Sequence, residues 1–430
     1  MRPRRPPRDP DALAYLRLVG LGALIGIPAA LLAAVFLAFV HDLEHWLWTD
    51  LPDGLGYSSP PWFLVIGLPV VGACVVVLAR RFLPGDGGHP PIEGIGGGAV
   101  PVANGPGIAI AAIGTLSFGA VLGPEAPLIA LGALVGCAVI LFTRLDEKAQ
   151  AVLATAGSFS AISALFGGPI VGGMMLTESG LAMGTALMPV LLPGFVAAAV
   201  GYVLFIGLGD WGGLGAQSLA VPNLPPYNGT HVYDLIVAVV VGLVAAVVVA
   251  SVRRSSEKLV EEGPKRLGMA VLLIGGGLAV GLIAQIADWL GADSQDVLFS
   301  GQAGVPDEAK ASAKILAILL VAKAIGYGIS LSCGFRGGPV FPAIFLGIAV
   351  AEFAHAWFDV SPTLCVAAGA AAGMAAGTRL LITSTLFAGL LVSSSGLDAV
   401  PAAVLAASAA WLMMQALDKR TAQRTDAVTA

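Results

Sequence analysis

The sequence predicts an all-α polytopic membrane protein, built as an inverted-topology internal repeat with broken and re-entrant helices. Three observations predict it. Composition is the first: 57% of the 430 residues are hydrophobic and 11% are charged, where a soluble domain carries about 25% charged residues. The second is a repeated decapeptide. "GPEAPLIALG" at 123–132 and "GPVFPAIFLG" at 338–347 share G-P-x-x-P-x-I-x-L-G, 215 residues apart. The third is charge placement. Lys and Arg gather in "MRPRRPPRDP" at 1–10, "RRSSEKLVEEGPKR" at 253–266 and "DKRTAQR" at 418–424, and none lies between Lys148 and Arg253.

The elements follow in order. A basic arm, 1–12, leads straight into an apolar span at 13–40, with no cleavable signal between them. Its end carries "HDLEHWLW", where His and Trp form an interfacial belt. Further spans lie at 61–80, 107–122, 126–143, 149–166 and 184–208, closing a first repeat over 13–208. A loop at 209–229 follows. The second repeat, 230–418, holds spans at 232–252, 268–287, 312–332, 339–358, 362–378 and 381–416, the last containing two helices. A tail over 419–430 ends the chain. Many spans reach the roughly 20 apolar residues that a hydrocarbon core requires. Others are short or interrupted by Gly and Pro, as broken helices are. Four cysteines, Cys74, Cys137, Cys333 and Cys365, lie inside apolar spans without metal-type spacing and read as small core residues.

The repeat extends beyond the decapeptide. "AGSFSAISALFGGPIVGGMMLTESG" (156–180) aligns with "AGMAAGTRLLITSTLFAGLLVSSSG" (372–396) at an offset of 216, matching Gly157 to Gly373 and Gly173 to Gly389. The positive-inside rule puts both termini and a 253–266 loop in the cytoplasm, with 209–229 outside. Each half then makes one net crossing, in opposite senses. Transporters with that architecture bind substrate near the midplane, at broken helices from both halves.

Each decapeptide reads as a helix N-terminus within the membrane, since Gly permits a tight entry and Pro suits the first helical turn. Such a terminus exposes unpaired N–H groups and about half a positive charge, which makes it an anion site. Gly123, Pro124 and Ala126 build one terminus; Gly337, Gly338, Val340 and Phe341 build the other. The first has its own anion, Glu125, the only charged residue between Glu93 and Arg144. Val340 stands in its place in the second half, leaving that field to an exogenous anion. An intramembrane carboxylate is a functional residue by default.

At these residues the sequence resembles the CLC family of chloride channels and chloride/proton antiporters. "GPEAP" (123–127) is similar to the family's G-[KR]-E-G-P, and "GGPVFPAIFLG" (337–347) to its G-G-x-F-x-P-x-L-x-x-G. "FGGPIVGGMMLTE" (166–178) and "VAKAIGYGISLSCGFRGG" (321–338) resemble the blocks around them, and "GDGGHPPIEG" (85–94) is a weaker match to G-S-G-I-P-x-x-x-G. The resemblance covers about 80–400. It implies transport of small inorganic anions, chloride foremost and protons as a possible partner, by a homodimer in the cell membrane. It also implies that Glu125 is the gating glutamate.

Four departures from the pattern matter. Asp86 or Gly87, followed by Gly88, replaces the anion-ligand serine, depending on alignment. Pro339 lacks an N–H, and Val340 replaces a phenylalanine. Ser179, just after Glu178, holds the position of the internal proton acceptor. No tyrosine follows Tyr327. Anion choice and the distinction between conduction and proton exchange therefore stay open.

Two charged residues remain. Arg336 either draws anions by its field or snorkels at the cytoplasmic side; Lys323, within an apolar helix, must face protein, water or a partner. Two rival readings are weighed. A cation-coupled solute carrier would share the architecture but would repeat carbonyl ends for Na⁺ rather than helix N-termini. "HDLEH" (41–45) matches a zinc-protease pattern, but that pattern needs a third ligand and a cleft, and here it precedes "WLW" at the end of the first span. No phosphate loop, nucleophilic triad, nucleic-acid surface, cofactor or metal set is read from the sequence.

Overall fold

The computed structural model describes residues 10–139, 145–181, 184, 187–215, 219–301, 312–358 and 360–429. Helix dominates throughout. Eight helical stretches among the described residues are long and apolar enough to cross a membrane, so this is a multi-pass membrane protein. Among the same residues the only sheet-like pairings are two isolated bridges, Gly123 with Gly338 and Leu208 with Trp211.

The chain divides into two compact units. The first comprises 1–36, 97–105 and 128–217; the second comprises 37–96, 106–127 and 218–430. Helix α1 (Pro10–His45) and helix α4 (Glu125–Ala138) each pass from one unit into the other.

The first unit is built around α5 (Glu147–Leu165), which packs against α6 (Pro169–Ser179) and α7 (Met188–Ile206). Asp146 caps α5 by accepting from Ala149 N–H at 2.9 Å. The body of α4 crosses α5 closely enough that a Cβ on Gly132 would meet Gly157 O at 2.5 Å, and one on Gly157 would overlap Gly132 O. Small residues at such a crossing let backbones touch, which is how helices associate where lipid removes the hydrophobic drive.

The second unit holds α2 (Trp62–Phe82), α3 (Gly105–Leu116), α8 (Val232–Leu267), α9 (Met269–Trp289), α10 (Ala313–Ser332), α11 (Val340–Phe358), α12 (Pro362–Thr378), α13 (Leu381–Leu391) and α14 (Val400–Thr429). Here α9 packs on α2, and α12 packs on α8, α11 and α14. The α11–α12 crossing repeats the glycine device: a Cβ on Gly347 would overlap Gly369 O, and one on Gly373 would overlap Ala343 O. Gly132 and Gly347, and Gly157 and Gly373, are the same pairs that align in sequence.

The structure departs from the sequence reading in three places. "RRSSEKLVEEGPKR" is not a loop: α8 runs through it to Leu267, and Arg253–Glu257 (3.0 Å) and Arg266–Glu262 (2.5 Å) ion pairs stitch successive turns. The segment 169–179 is a separate helix of 11 residues, α6, too short to be read as a span. The span expected at 107–122 ends early, at Leu116; of the span expected at 126–143, α4 covers Glu125–Ala138, and residues 140–143 lie outside the described residues. Beyond α3, residues 117–119 turn and the chain runs without helix to the bridge at Gly123. The described part of the 209–229 loop contains no helix, and α14 carries the 419–430 tail in helical form as far as Thr429.

The elements around "HDLEH" are helical as well. His41, Glu44 and His45 close α1, His45 lies 3.4 Å from Asp50, and among the described residues no group of three His, Cys, Asp or Glu side chains is disposed to hold a metal. The four cysteines are free thiols: Cys137, Cys333 and Cys365 are buried and Cys74 is half-buried.

Candidate functional site

The site lies wholly within the second unit, where the two repeated decapeptides begin. Residues 117–124 and 333–339 run antiparallel for a single bridge. Gly123 N–H donates to Gly338 O at 2.8 Å, and Gly338 N–H donates to Gly123 O at 2.5 Å. Flanking bonds hold the pair. Val121 N–H donates to Ser330 Oγ (3.0 Å), Arg336 N–H to Thr115 Oγ1 (3.1 Å), and Tyr327 Oη to Pro339 O (2.9 Å). Non-helical chain buried in a membrane protein must have its polar groups satisfied by the protein, and the bridge does so between the two loops.

Helices α4 and α11 start immediately after the bridge, at Glu125 and Val340; the prolines stand just before the first helical residue. The Glu125 side chain is fully buried. It turns to the other helix, where Oε1 accepts from Phe341 N–H at 2.9 Å. The N–H groups of Val340 and of Glu125 itself also act on the carboxyl, while Oε2 has no geometric hydrogen-bond partner. The field at Val340 is thus filled by the protein's own carboxylate, where the sequence left it to an exogenous anion.

Two glycines make room for that carboxylate. A Cβ on Gly338 would collide with Glu125 Oε2, and one on Gly123 would collide with both carboxylate oxygens. The same residues therefore serve the chain's bridge and the acid's seat. Val340, Phe341 and Ala126 are buried, and the Phe341 ring meets Phe387 edge-on with centroids 6.1 Å apart. Pro124 lies between bridge and helix, and Gly337 lies against Leu122.

Asp86, Gly87 and Gly88 form a turn beside this bridge, with positive φ at all three. Asp86 faces two guanidiniums. Arg80 donates to it through Nε and Nη2 (both 2.8 Å), and Arg336 through Nη2 (2.5 Å). Partial burial disfavours the charged Asp86 carboxylate, but hydrogen bonds and charge from Arg80 and Arg336 outweigh it and hold the group below the usual carboxylate range. Gly87 packs against the stems of both arginines, and Gly88 against Ile108.

The remaining candidates separate into distinct places. Lys323 is completely buried; Nζ donates to Asp296 O (2.8 Å) and Leu298 O (2.7 Å) and sits 4.5 Å from the centre of the Phe345 ring. It fastens α10 to the segment before it. Arg336 is buried, with its guanidinium on Asp86. Glu178 and Ser179 end α6 in the first unit, with Glu178 half-buried and Ser179 exposed, its Oγ donating to Leu176 O at 3.0 Å.

Sequence reasoning missed Arg80 and Tyr327. Arg80 looks like the end of a span, where a basic residue is ordinary. Tyr327 did carry a signal: a phenol in an apolar helix usually finds a partner for its hydroxyl.

Comparison with known proteins fits this geometry. The family described as voltage gated chloride channel matches residues 71–414. YfeO of Salmonella schwarzengrund (strain CVM19633), an ion-transport protein by name, is 29% identical over 429 residues, covering 94% of this chain and 96% of its own. YfeO of Salmonella typhimurium is equally similar, at 29% identity over the same shares. Among solved structures, a slow cyanobacterial Cl⁻/H⁺ antiporter aligns with a TM-score of 0.74 at 17% identity, over 93% of this chain and 95% of that one. A CLC-type fluoride/proton antiporter aligns at 0.70 and 21%, over 92% and 95%. At those identities the likeness is one of fold.

Proposed function

This chain belongs to the voltage gated chloride channel family, and we propose that it gates the passage of small inorganic anions with the Glu125 carboxyl. Members of the family are transporters or channels, and anion transport is what they do. One observation carries the gate: the Glu125 carboxylate sits on the N–H groups that open α11, in a seat that two glycines leave empty.

A helix N-terminus stabilises a nearby anion by about 0.3–2 kcal/mol, and a hydrogen bond to a charged group adds about 1.5–3 kcal/mol. Against these stands the burial of the ionised group, which costs several kcal/mol. The terms nearly balance, so the seat holds its carboxylate loosely. A proton, or an anion competing for the same N–H groups, displaces the side chain and opens the position. Pro339 has no N–H to offer, so an entering anion has fewer donors to replace its water. Chloride, the foremost expected anion, is therefore bound weakly.

The wider reading is of a homodimer in the lipid bilayer of a cell membrane, with both termini cytoplasmic and the two repeats inverted. Glu178 and Ser179 stand where a proton would enter. Ser179 does not titrate near neutral pH, so coupling through it is absent unless Glu178 serves. Proteoliposome flux of fluoride, chloride, bromide and nitrate, with proton movement recorded at the same time, tests this function. Anion flux that drives no protons marks conduction. Uphill proton movement unchanged in Glu178→Gln places the proton path elsewhere, and no flux of any anion refutes the reading.

A further inference from the structure

We propose that Arg80 and Arg336 form a second anion niche beside the Glu125 seat, for a small planar oxyanion, and that Asp86 is its tethered resident. The inference rests on the anion-transport reading and extends it to a substrate class. Three observations carry it.

The first is layering. The guanidinium-bearing side chains of Arg80 and Arg336 are 12% and 6% exposed, whereas the Asp86 side chain above them is 61% exposed. The carboxylate is the part that solvent reaches, and removing it uncovers two buried cations. The second is charge. Two guanidiniums face one carboxylate, leaving a positive excess that Glu93, itself 63% exposed and 3.9 Å from His89, meets only at a distance. A clasp built only to hold two loops together would balance its charges. This one keeps a surplus of the sign that attracts anions.

The third is place. Asp86 lies in a left-handed conformation (φ 48°) between Gly85 (φ 89°) and Gly87 (φ 73°), a turn that the two glycines adopt without strain. Arg336 is two residues before Gly338, the glycine pressed against the Glu125 carboxylate. Two residues of chain span about 7 Å at most, so the loop that carries Arg336 also carries the glycine of the Glu125 seat.

Geometry selects the ligand. Asp86 takes a two-oxygen fork from Arg80 and shares Oδ2 with Arg336, whose Nε reaches Asp86 O at 3.0 Å. Arg80 Nη1 is committed to Gly334 O at 3.0 Å. A guanidinium fork matches a planar anion with two oxygens better than a spherical halide. Formate is the simplest probe, because it is the Asp86 carboxylate without its tether.

The full-length protein is tested as wild type, Asp86→Ala, Asp86→Asn and Asp86→Ala/Arg80→Gln. Calorimetry in detergent with formate should find one more bound equivalent per chain in Asp86→Ala than in wild type, and none extra in the double variant. In liposomes, both single variants should shift the formate-to-chloride flux ratio by about tenfold, the worth of one charge-assisted hydrogen bond. Asp86→Asn keeps the turn's shape and answers the flux question should Asp86→Ala fail to fold. No extra formate, or extra chloride in its place, overturns the niche or its ligand class. An unchanged flux ratio in a folded variant makes the cluster a clasp only. Should wild type carry no anion at all, the family function is what fails, and calorimetry still decides the niche.

Discussion

Glu125 and Gly338 are a matched pair, since the glycine's missing side chain is the space the carboxylate fills. Gly338→Ala should therefore destabilise the protein by about 1–3 kcal/mol, the usual penalty for overpacking. Glu125→Ala should remove most of that penalty, because the atoms nearest the new methyl all belong to Glu125. Thermal unfolding of the two single variants and the double measures the coupling; strict additivity would mean that the carboxylate is not seated there. Lys323 supports a contrasting expectation. Lys323→Met leaves the carbonyls of Asp296 and Leu298 without their donor, at about 1–3 kcal/mol each. Stability should fall while the anion flux ratios stay as in wild type. Changed selectivity would restore Lys323 to the pathway. Glu125 was legible in the sequence because one charge stood alone between prolines. Arg80 was not, because its carbonyl partner on Gly334 is 254 residues away and no local pattern announces it.

The helices repeat a packing device as well as a motif. Gly157 and Gly373 occupy aligned positions, and at each a Cβ would press into the backbone of the crossing helix, which cannot swing aside. Gly157→Ala and Gly373→Ala should each cost about 1–3 kcal/mol. Gly275→Ala, on an α9 face with nothing within 4 Å, should instead stabilise by about 0.5–1 kcal/mol. Unfolding midpoints in one detergent compare the three, and a gain at Gly157 or Gly373 would contradict the close crossings. These helices were legible because their apolar runs are long and bounded by charge or proline. The far end of α8 was not. Its charges read as a loop, yet Arg253–Glu257 and Glu262–Arg266 are four apart, a spacing that supports an exposed helix as readily as a loop's polarity does. The short α6 was missed for the opposite reason: a broken helix has too few residues to declare itself by length.

At the scale of the whole molecule, the claim is that two repeats of opposite sense bring two helix starts to one place. The bridge between Gly123 and Gly338 supplies the meeting point, and the Lys and Arg distribution supplies the sense. Single cysteines at Gly212 and Lys258, in a background with the four native cysteines replaced, should label from opposite sides, with Lys258 cytoplasmic. Labelling from one side would leave the repeat uninverted. What the bridge is for is a sharper question, and one measurement answers it: anion efflux from liposomes for wild type, Glu125→Gln and Glu125→Ala, from about pH 4.5 to about pH 7.5, the range reaching upward from the ordinary carboxylate value. The gate predicts that wild-type efflux rises as acid protonates and displaces the side chain. It predicts that both variants conduct at least as fast and no longer respond to pH. Folded variants that conduct with the wild-type pH response would show that the Glu125 carboxylate is only a cap on α11.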